Sequence, residues 1–535
     1  MLVISEENVQ VLIPGNADVR VFKKGRFYIA LSDEYTVFHS GKDLLIFHGE
    51  CVSRTGVLIE PAALQEKALL SHIQKGFGYF FLAKINEVGV EIYRSLERVQ
   101  DVFYSTSGRL CISSRIEIVL AVTGINKENT EFLKAFINGM PTASFLSPYK
   151  NIRKILGGCK TLFKNNLSSI TSFIDLSPCN ENHLSEMSET IYNRTKNKNI
   201  WLNFSSGLDS TIIFLLLKES GLKFEAVHHG PTSEEHDSEV YEASVLCKKY
   251  GIRLHVMTPV HQASPSDQTG RFAGGSAFLQ TQYVSDTFSY DEHSSSDNIY
   301  LNGQGGDTLY VQNPSYLIGT QLLAKAKPLR ALRALDDLSK LKNSSLPGLI
   351  KKSVLSLRDK TGASPTPVHP LLTTRHSDAA DYEHLLQILS FTETLPEMTA
   401  TNLNAFSPIM TPGAIRTWRA HQYEKNFNAD YDRYLIREMA FKRFGETHLW
   451  KRRKRSSVNL AHGLLLHSRH ILDLVLENEE WVNATGLKKE SLKKIINKNI
   501  HGHFDNQTNM LVALITLYDY YLFINKARES VNHVF

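Results

Sequence analysis

Along the first third of the chain the apolar positions come in short β-type runs, at residues 11–13, 27–31, 44–47, 78–83, 90–93, 102–104 and 110–113, separated by Gly, Asn, Asp and Ser. Runs this short, bounded by turn formers, predict antiparallel sheets, with a helix near residues 65–74. Around residues 175–183 the sequence turns polar, with Pro178, Asn180 and Asn182, and a helix over 184–196 should open a second unit. From Ile200 the pattern changes. An apolar strand over 200–204, a tight turn and a helix over 211–218 ended by Gly221 come first; a strand over 224–228, a helix over 238–250 closed by Gly251 and a strand over 253–257 follow. Such alternation predicts a parallel, doubly wound sheet. Residues 261–298 are polar and read as a long loop or lid. After a strand at Tyr300-Leu301 the remainder is predicted mostly helical, for example over 320–341, 382–389 and 487–497.

The chain has 535 residues, 42% hydrophobic and 21% charged, which at roughly 100–200 residues per domain allows two to four domains. The polar stretch divides it into 1–178 and 179–535. Sixty Lys and Arg against 55 Asp and Glu leave +5, too mild a surplus to imply nucleic acid. The five cysteines are odd in number, widely spread and form no C-x-x-C pair, which fits a reducing compartment better than a disulfide or zinc framework. Glu6 and Glu7 stand where a secretory signal needs basic residues, and the apolar stretches at 212–217 and 510–515 are too short to span a bilayer. The expectation is a soluble cytoplasmic protein with no membrane or nucleic-acid partner. Residues 510–517 read as a buried or partner-facing helix.

Two loops carry the chemistry. Asn203-Phe204-Ser205-Ser206-Gly207-Leu208-Asp209-Ser210 stands where a buried strand ends and a helix begins. Backbone N–H groups of such a turn, with the helix N-terminus behind them, can cradle a pyrophosphate. No Gly-Lys-Ser/Thr follows, so it is not a Walker loop, and Asp209 would repel a phosphate unless a cation came between them. That points to Mg²⁺ bridging carboxylate and phosphate oxygens. Asn302-Gly303-Gln304-Gly305-Gly306-Asp307 follows a second apolar strand and supplies a second carboxylate. Ligands of open α/β sheets bind beyond the strands' carboxyl ends, so both loops can meet over one nucleotide.

Ser205-Ser206-Gly207-Leu208-Asp209-Ser210 resembles the pyrophosphate loop of the class B asparagine synthetase superfamily, usually Ser-Gly-Gly-x-Asp-Ser, and residues 303–307 resemble its second signature. Residues 78–83, 111–114 and 152–158 are similar to its N-terminal nucleophile (Ntn-type) glutaminase domain. Closer still is the microcin-type lasso peptide cyclase, an ATP-dependent macrolactam synthetase. It is resembled at Gln312-Asn313-Pro314-Ser315, at Phe441-Lys442-Arg443-Phe444-Gly445, and at Trp450 followed by Lys454-Arg455-Ser456-Ser457. The resemblance implies a degenerate glutaminase-like β sandwich followed by an ATP-pyrophosphatase domain with a helical extension. It implies ATP and Mg²⁺ as cofactors, a precursor core peptide as substrate, and a companion leader peptidase as partner. It implies metal at Asp209 and Asp307, nucleotide contacts at Phe204, Ser205, Ser206, Gly207, Asp209, Ser210, Val227, Gly303 and Gln304, and a charge-neutralising lysine at Lys454, with Lys451 as its rival.

The departures from the family pattern are informative. The family's glutaminase uses an N-terminal cysteine, whereas loss of Met1 here would expose Leu2, and Cys51 lies inside the chain; ammonia from glutamine is not expected. Ser206 replaces a family glycine, at a cost on the order of 1 kcal/mol if the position needs φ > 0. Gln304 stands where relatives carry a glutamate or tyrosine and cannot act as a base near neutral pH, but it serves equally well as a solvent-facing turn residue. The run 451–455 is, apart from Lys454, expected to be a solvated face. His228, His229 and His236 are expected to be surface or loop histidines. Trp418, Trp450 and residues 518–523 are expected in the core. A β-lactam synthetase-like ligase for a small molecule and a non-catalytic precursor-binding scaffold stay open as alternatives.

Overall fold

The computed structural model describes residues 1–8, 19–53, 57–229, 239–257, 297–358, 369–372, 378–395, 405–451, 465–466, 468–501 and 507–532. Among these, the first third forms two antiparallel sheets. One joins β1 (Leu2–Ser5), β2 (Val19–Lys24), β3 (Phe27–Ser32), β8 (Phe103–Ser105), β9 (Cys111–Ser113) and β10 (Arg153–Lys154), in the order β10-β8-β9-β1-β3-β2. The other joins β4 (Thr36–Ser40), β5 (Asp43–Gly49), β6 (Phe80–Ile85), β7 (Gly89–Arg94), β11 (Cys159–Lys164) and β12 (Leu167–Ser172), in the order β12-β11-β7-β6-β5-β4. Alternate residues of each sheet point inward. Leu2, Ile4, Phe27, Ile29 and Leu31 from the first meet Leu44, Ile46, Phe81, Ala83, Ile85, Val90 and Ile92 from the second in one buried cluster, the larger side chains each contributing roughly 1.5–3 kcal/mol of apolar burial. The result is a β sandwich.

Six of the strands expected here are observed within two residues of the expected bounds. The expected strand at 11–13 lies outside the described residues. Several strands were not expected, among them β1, which is fully buried between β3 and β9, and the β11–β12 hairpin. That hairpin turns through Asn165 and Asn166, both at positive φ (51° and 60°), a conformation asparagine tolerates in two-residue hairpins.

The second sheet system is parallel throughout: β13 (Asn199–Asn203), β14 (Phe224–His229), β15 (Leu254–Met257), β16 (Asn298–Leu301) and β17 (Ala405–Phe406) lie in the order β15-β14-β13-β16-β17. Numbered by appearance this is 3-2-1-4-5, a doubly wound order whose direction reverses between β13 and β16, the place where such sheets bind ligands. The helix Leu208–Glu219 after β13 is buried along nearly its whole length, so it is apolar on all sides. The expected lid at 261–298 falls almost wholly outside the described residues.

One expectation needs correcting. The helix expected over 320–341 is two, Leu317–Ala324 and Pro328–Leu341. Proline is tolerated only in a helix's first turn because it lacks an N–H and clashes with the preceding turn, and Ala326 at φ 54° makes the break. The long helix Gln507–Asn532 buries Leu511, Leu514, Ile515, Tyr520 and Tyr521 against Ile116, Val119, Leu120 and Phe132 of the first third, in line with the core reading of residues 510–517 and of these tyrosines. Trp418 is also buried, while Trp450 is half-buried against Tyr431 and Phe441. No helix among the described residues is long and apolar enough to cross a membrane.

A buried ion cluster ties the sandwich to the helix Ala379–Thr394. Glu393 accepts from Arg94 and Lys154, both at 2.8 Å, and takes the Gly157 N–H at 2.6 Å; Lys154 also reaches Asp101 at 2.9 Å, and Arg98 holds Asp101 at 3.0 Å. Burial alone would raise the Glu393 carboxyl, but Arg94 and Lys154 outweigh it and hold it at about 2. The same helix reaches the second loop. Burial lowers His384 to about 4, so its neutral ring donates from Nε2 to the carbonyls of Thr308 (3.1 Å) and Leu309 (3.0 Å).

Candidate active site

The loops after β13 and β16 line one cavity of about 540 Å³, together with Val227 and His229 from β14, Phe391, Arg433, Arg437, His448 and Lys451. Every described residue expected to contact nucleotide lines it: Phe204, Ser205, Ser206, Gly207, Asp209, Ser210, Val227, Gly303 and Gln304, with Asp307 beside them. Lys454 lies outside the described residues. Lys451 stands at the rim, its Nζ 2.8 Å from Glu242.

The first loop is shaped by an unusual backbone. Ser206 has φ 57°, the left-handed conformation in which a Cβ costs roughly 1–2 kcal/mol. Its hydroxyl offsets that by donating to Ser205 O at 2.6 Å and Glu239 O at 3.2 Å, and His448 Nε2 donates to Ser206 O at 2.8 Å. The two terms imply opposite mutational outcomes. Ser206→Ala keeps the strain and loses the bonds, so it should be less stable by about 1 kcal/mol; Ser206→Gly loses both and should lie within about 1 kcal/mol of wild type, as read from urea unfolding.

The second loop needs its glycines for close approach. A Cβ on Gly303 would lie 2.8 Å from the Ser210 nitrogen, and one on Gly306 would run into the Asp209 carboxylate. Gly305 has φ 88° and packs against Met410 and Phe391. The two loops therefore touch backbone to backbone. Gly306→Ala should displace Asp209 and weaken binding of a non-hydrolysable ATP analogue on the order of 10²-fold while leaving the circular dichroism spectrum unchanged.

Asp209 sits in the first turn of its helix and Asp307 in that of the short helix Gly306–Leu309. Both carboxylates bond the same nitrogen, Nη1 of Arg433, at 3.1 Å from Asp209 and in close contact with Asp307. Arg433 is buried, takes φ 50°, and also faces Asp432 at 3.5 Å; Asp432 is held in turn by Arg437 at 3.1 Å. The Gln312 amide lies against Asp307, its nitrogen donating at 3.2 Å in the orientation that satisfies both groups.

Two carboxylates converging on one cation are the hard-oxygen set that Mg²⁺ takes when phosphates supply its other ligands. Among the described residues no group of three or more His, Cys, Asp or Glu could hold a metal alone. The pair fits Mg²⁺ as a partner of a nucleotide.

Phe204 and Val227 lie in the cavity wall, but the Phe204 N–H is already given to Val227 O at 2.8 Å, and its carbonyl accepts from His228 Nδ1 at 2.9 Å. Any base contact there falls to remaining carbonyl lone pairs and side-chain edges. The expectation of surface or loop histidines is corrected by these bonds: His228 is buried on β14, and His229 ends that strand beside Asn203 Oδ1 at 3.2 Å, lowered to about 4 by burial and by His228. His236 lies outside the described residues. Gln304 is exposed at the rim, its N–H bonded to Asn302 Oδ1 and its carbonyl to Ser407.

Sequence reasoning missed Arg433, Arg437 and His448. The doublet Asp432-Arg433 in an otherwise polar stretch is the only trace of the first two, and nothing in the spacing marks the third.

Residues 199–521 match the model of the Asparagine synthase family. The Microcin J25-processing protein McjC of Escherichia coli is 24% identical over 494 residues, covering 87% of this chain and 90% of that protein. Two solved structures align with lower similarity. The allosteric regulatory enzyme of purine biosynthesis gives a TM-score of 0.20 at 10% identity, over 62% of this chain and 72% of that one. Glutamine phosphoribosylpyrophosphate amidotransferase from B. subtilis, complexed with ADP and GMP, gives 0.18 at 11% identity, over 65% and 86%. At those scores neither bears on fold or activity.

Proposed function

The chain belongs to the asparagine synthase family, and on that premise we propose that it is an ATP-dependent lasso peptide cyclase, which activates an Asp or Glu side chain of a precursor core peptide and joins it to the peptide's N-terminal amine as a macrolactam. The observation that carries the reading is the meeting of two strand-end loops at the sheet's switch point, their carboxylates on one cation. The kinship with a microcin-processing protein supports a peptide rather than a small amino acid as substrate.

The substrate carboxylate attacks the α-phosphorus of ATP, the bond to the β-phosphate breaks, and pyrophosphate departs into the amides of residues 205–210 at the helix N-terminus. An acyl-adenylate remains. The peptide amine then attacks the acyl carbon, loses a proton and expels AMP. With a pKa of about 7.7–8.0 such an amine is already partly a free nucleophile, so an exposed glutamine at position 304 suffices where relatives carry a base. Asp209 and Asp307 would hold Mg²⁺, which supplies charge neutralisation on the phosphates when bound. Lys454 is assigned the neutralisation of charge on the acyl intermediate, with Lys451 on the rim as the alternative. Units 1–178 and 179–535 divide the work, the first serving as a peptide platform. A leader peptidase that exposes the substrate amine is the partner.

Incubation with ATP, Mg²⁺ and an acid-bearing peptide with a free N-terminus should yield AMP and a product lighter by one water. AMP formed only with small amino acids would move the reading to a small-molecule ligase, and no AMP with either would leave the scaffold. Cys51 is buried and its thiol is pushed up to about 12, mainly by burial, so it is no nucleophile near neutral pH. Cys51→Ala should leave the rate unchanged, and glutamine should not stimulate it.

A further inference from the structure

The cation that Asp209 and Asp307 share in the structure belongs to the chain itself. Arg433 Nη1 bonds both carboxylates, its side chain is 6% exposed, and its backbone is held at φ 50°. A guanidinium and a metal ion cannot occupy the point between two carboxylates together. A free divalent ion arriving there would have to expel a buried arginine from two ion pairs, leaving that cation short of partners at high cost. It would gain little in return, because among the described residues no third His, Cys, Asp or Glu stands ready to complete its coordination. A metal arriving on a nucleotide meets neither obstacle. The phosphates complete its coordination and offer oxygen acceptors to the displaced guanidinium, and Asp432, 3.5 Å from Arg433 Nε and fixed by Arg437, offers a second anchor.

We infer that Arg433 is a resident counter-cation that closes the carboxylate pair to free metal and yields it only to the metal–nucleotide complex, so that metal and ATP enter together. Resting on the reading of Asp209 and Asp307 as the metal's seat, this makes Arg433 a positioning residue: it keeps two like charges paired at one ion's spacing while the site is empty of nucleotide.

Mn²⁺ binding to the full chain, followed by electron paramagnetic resonance without any turnover, tests it. Without nucleotide the wild type should bind Mn²⁺ at this pair at least about tenfold more weakly than Arg433→Gln, a difference of about 1.4 kcal/mol. With a non-hydrolysable ATP analogue both should bind. Arg433→Lys keeps a charge and should exclude free Mn²⁺ nearly as the wild type does, which guards against a glutamine variant that fails to fold. The site gained in Arg433→Gln should vanish when Asp307→Asn is added. Equal binding of free Mn²⁺ by wild type and Arg433→Gln would overturn the inference and leave the proposed activity standing. Nucleotide-dependent Mn²⁺ binding that survives both Asp209→Asn and Asp307→Asn would overturn the metal seat itself.

Discussion

Asp209→Asn should reduce ATP-dependent AMP formation by on the order of 10³-fold, and Asp307→Asn by a similar factor. Both changes preserve shape and remove a charge. Asparagine can still accept from Arg433 across the present 3.1 Å, so the loops should stay joined and the thermal midpoint should hardly move. What disappears is half of the anionic pair that draws a cation to the phosphates, and without it the charge on the departing pyrophosphate goes uncompensated. Quantifying AMP by chromatography, with circular dichroism as the check on folding, reads both effects. Turnover within tenfold of wild type in either variant would remove that residue from the assigned role.

Glu393→Gln should destabilise the protein by about 3–5 kcal/mol, because removing one charge from a buried cluster strands its partners. Arg94 and Lys154 are both fully buried and both spend an ion pair on this carboxylate. The pH dependence separates this from a simple packing defect. Glu393 titrates at about 2 in the folded chain against an ordinary value of 4.5. Its contribution is therefore complete above about pH 4.5 and lost as the pH falls from there toward 2. Urea midpoints should fall over that window more steeply for the wild type than for the variant, which has no carboxylate to protonate. Parallel curves would show that the cluster is not the source of the stability. Because the same helix holds Thr308 and Leu309 through His384, the variant should also bind nucleotide more weakly.

What the sequence revealed, and what it hid, follows from the range of the interactions involved. The strands β13, β14 and β15 and the helices between them were legible because each is a short apolar-rich or amphipathic run and each helix is followed by a glycine, Gly221 or Gly251, both at positive φ. The two loops were legible because glycines and a carboxylate after a strand have few uses other than ligand approach. Strands β2 and β12 were hidden by their place at sheet edges: in Leu167–Ser172 no residue is fully buried and four of the six are polar, so the sequence shows no apolar alternation. β1 was hidden by its length, only four residues at the start of the chain. Arg433 and Glu393 lay beyond any local reading. Arg433 stands 224 residues from Asp209, and Glu393 stands 299 from Arg94, and only the closed fold makes either pair neighbours.

The claim on which the proposed chemistry stands is that the peptide's own carboxylate becomes an ester of AMP. Labelling both oxygens of the acceptor side chain with ¹⁸O and analysing the products by mass spectrometry tests it in one measurement. The account predicts that each ring closure delivers one labelled oxygen into AMP, leaves the other in the lactam carbonyl, and leaves pyrophosphate unlabelled. Label appearing in orthophosphate, or a closed ring accompanied by unlabelled AMP, would contradict it.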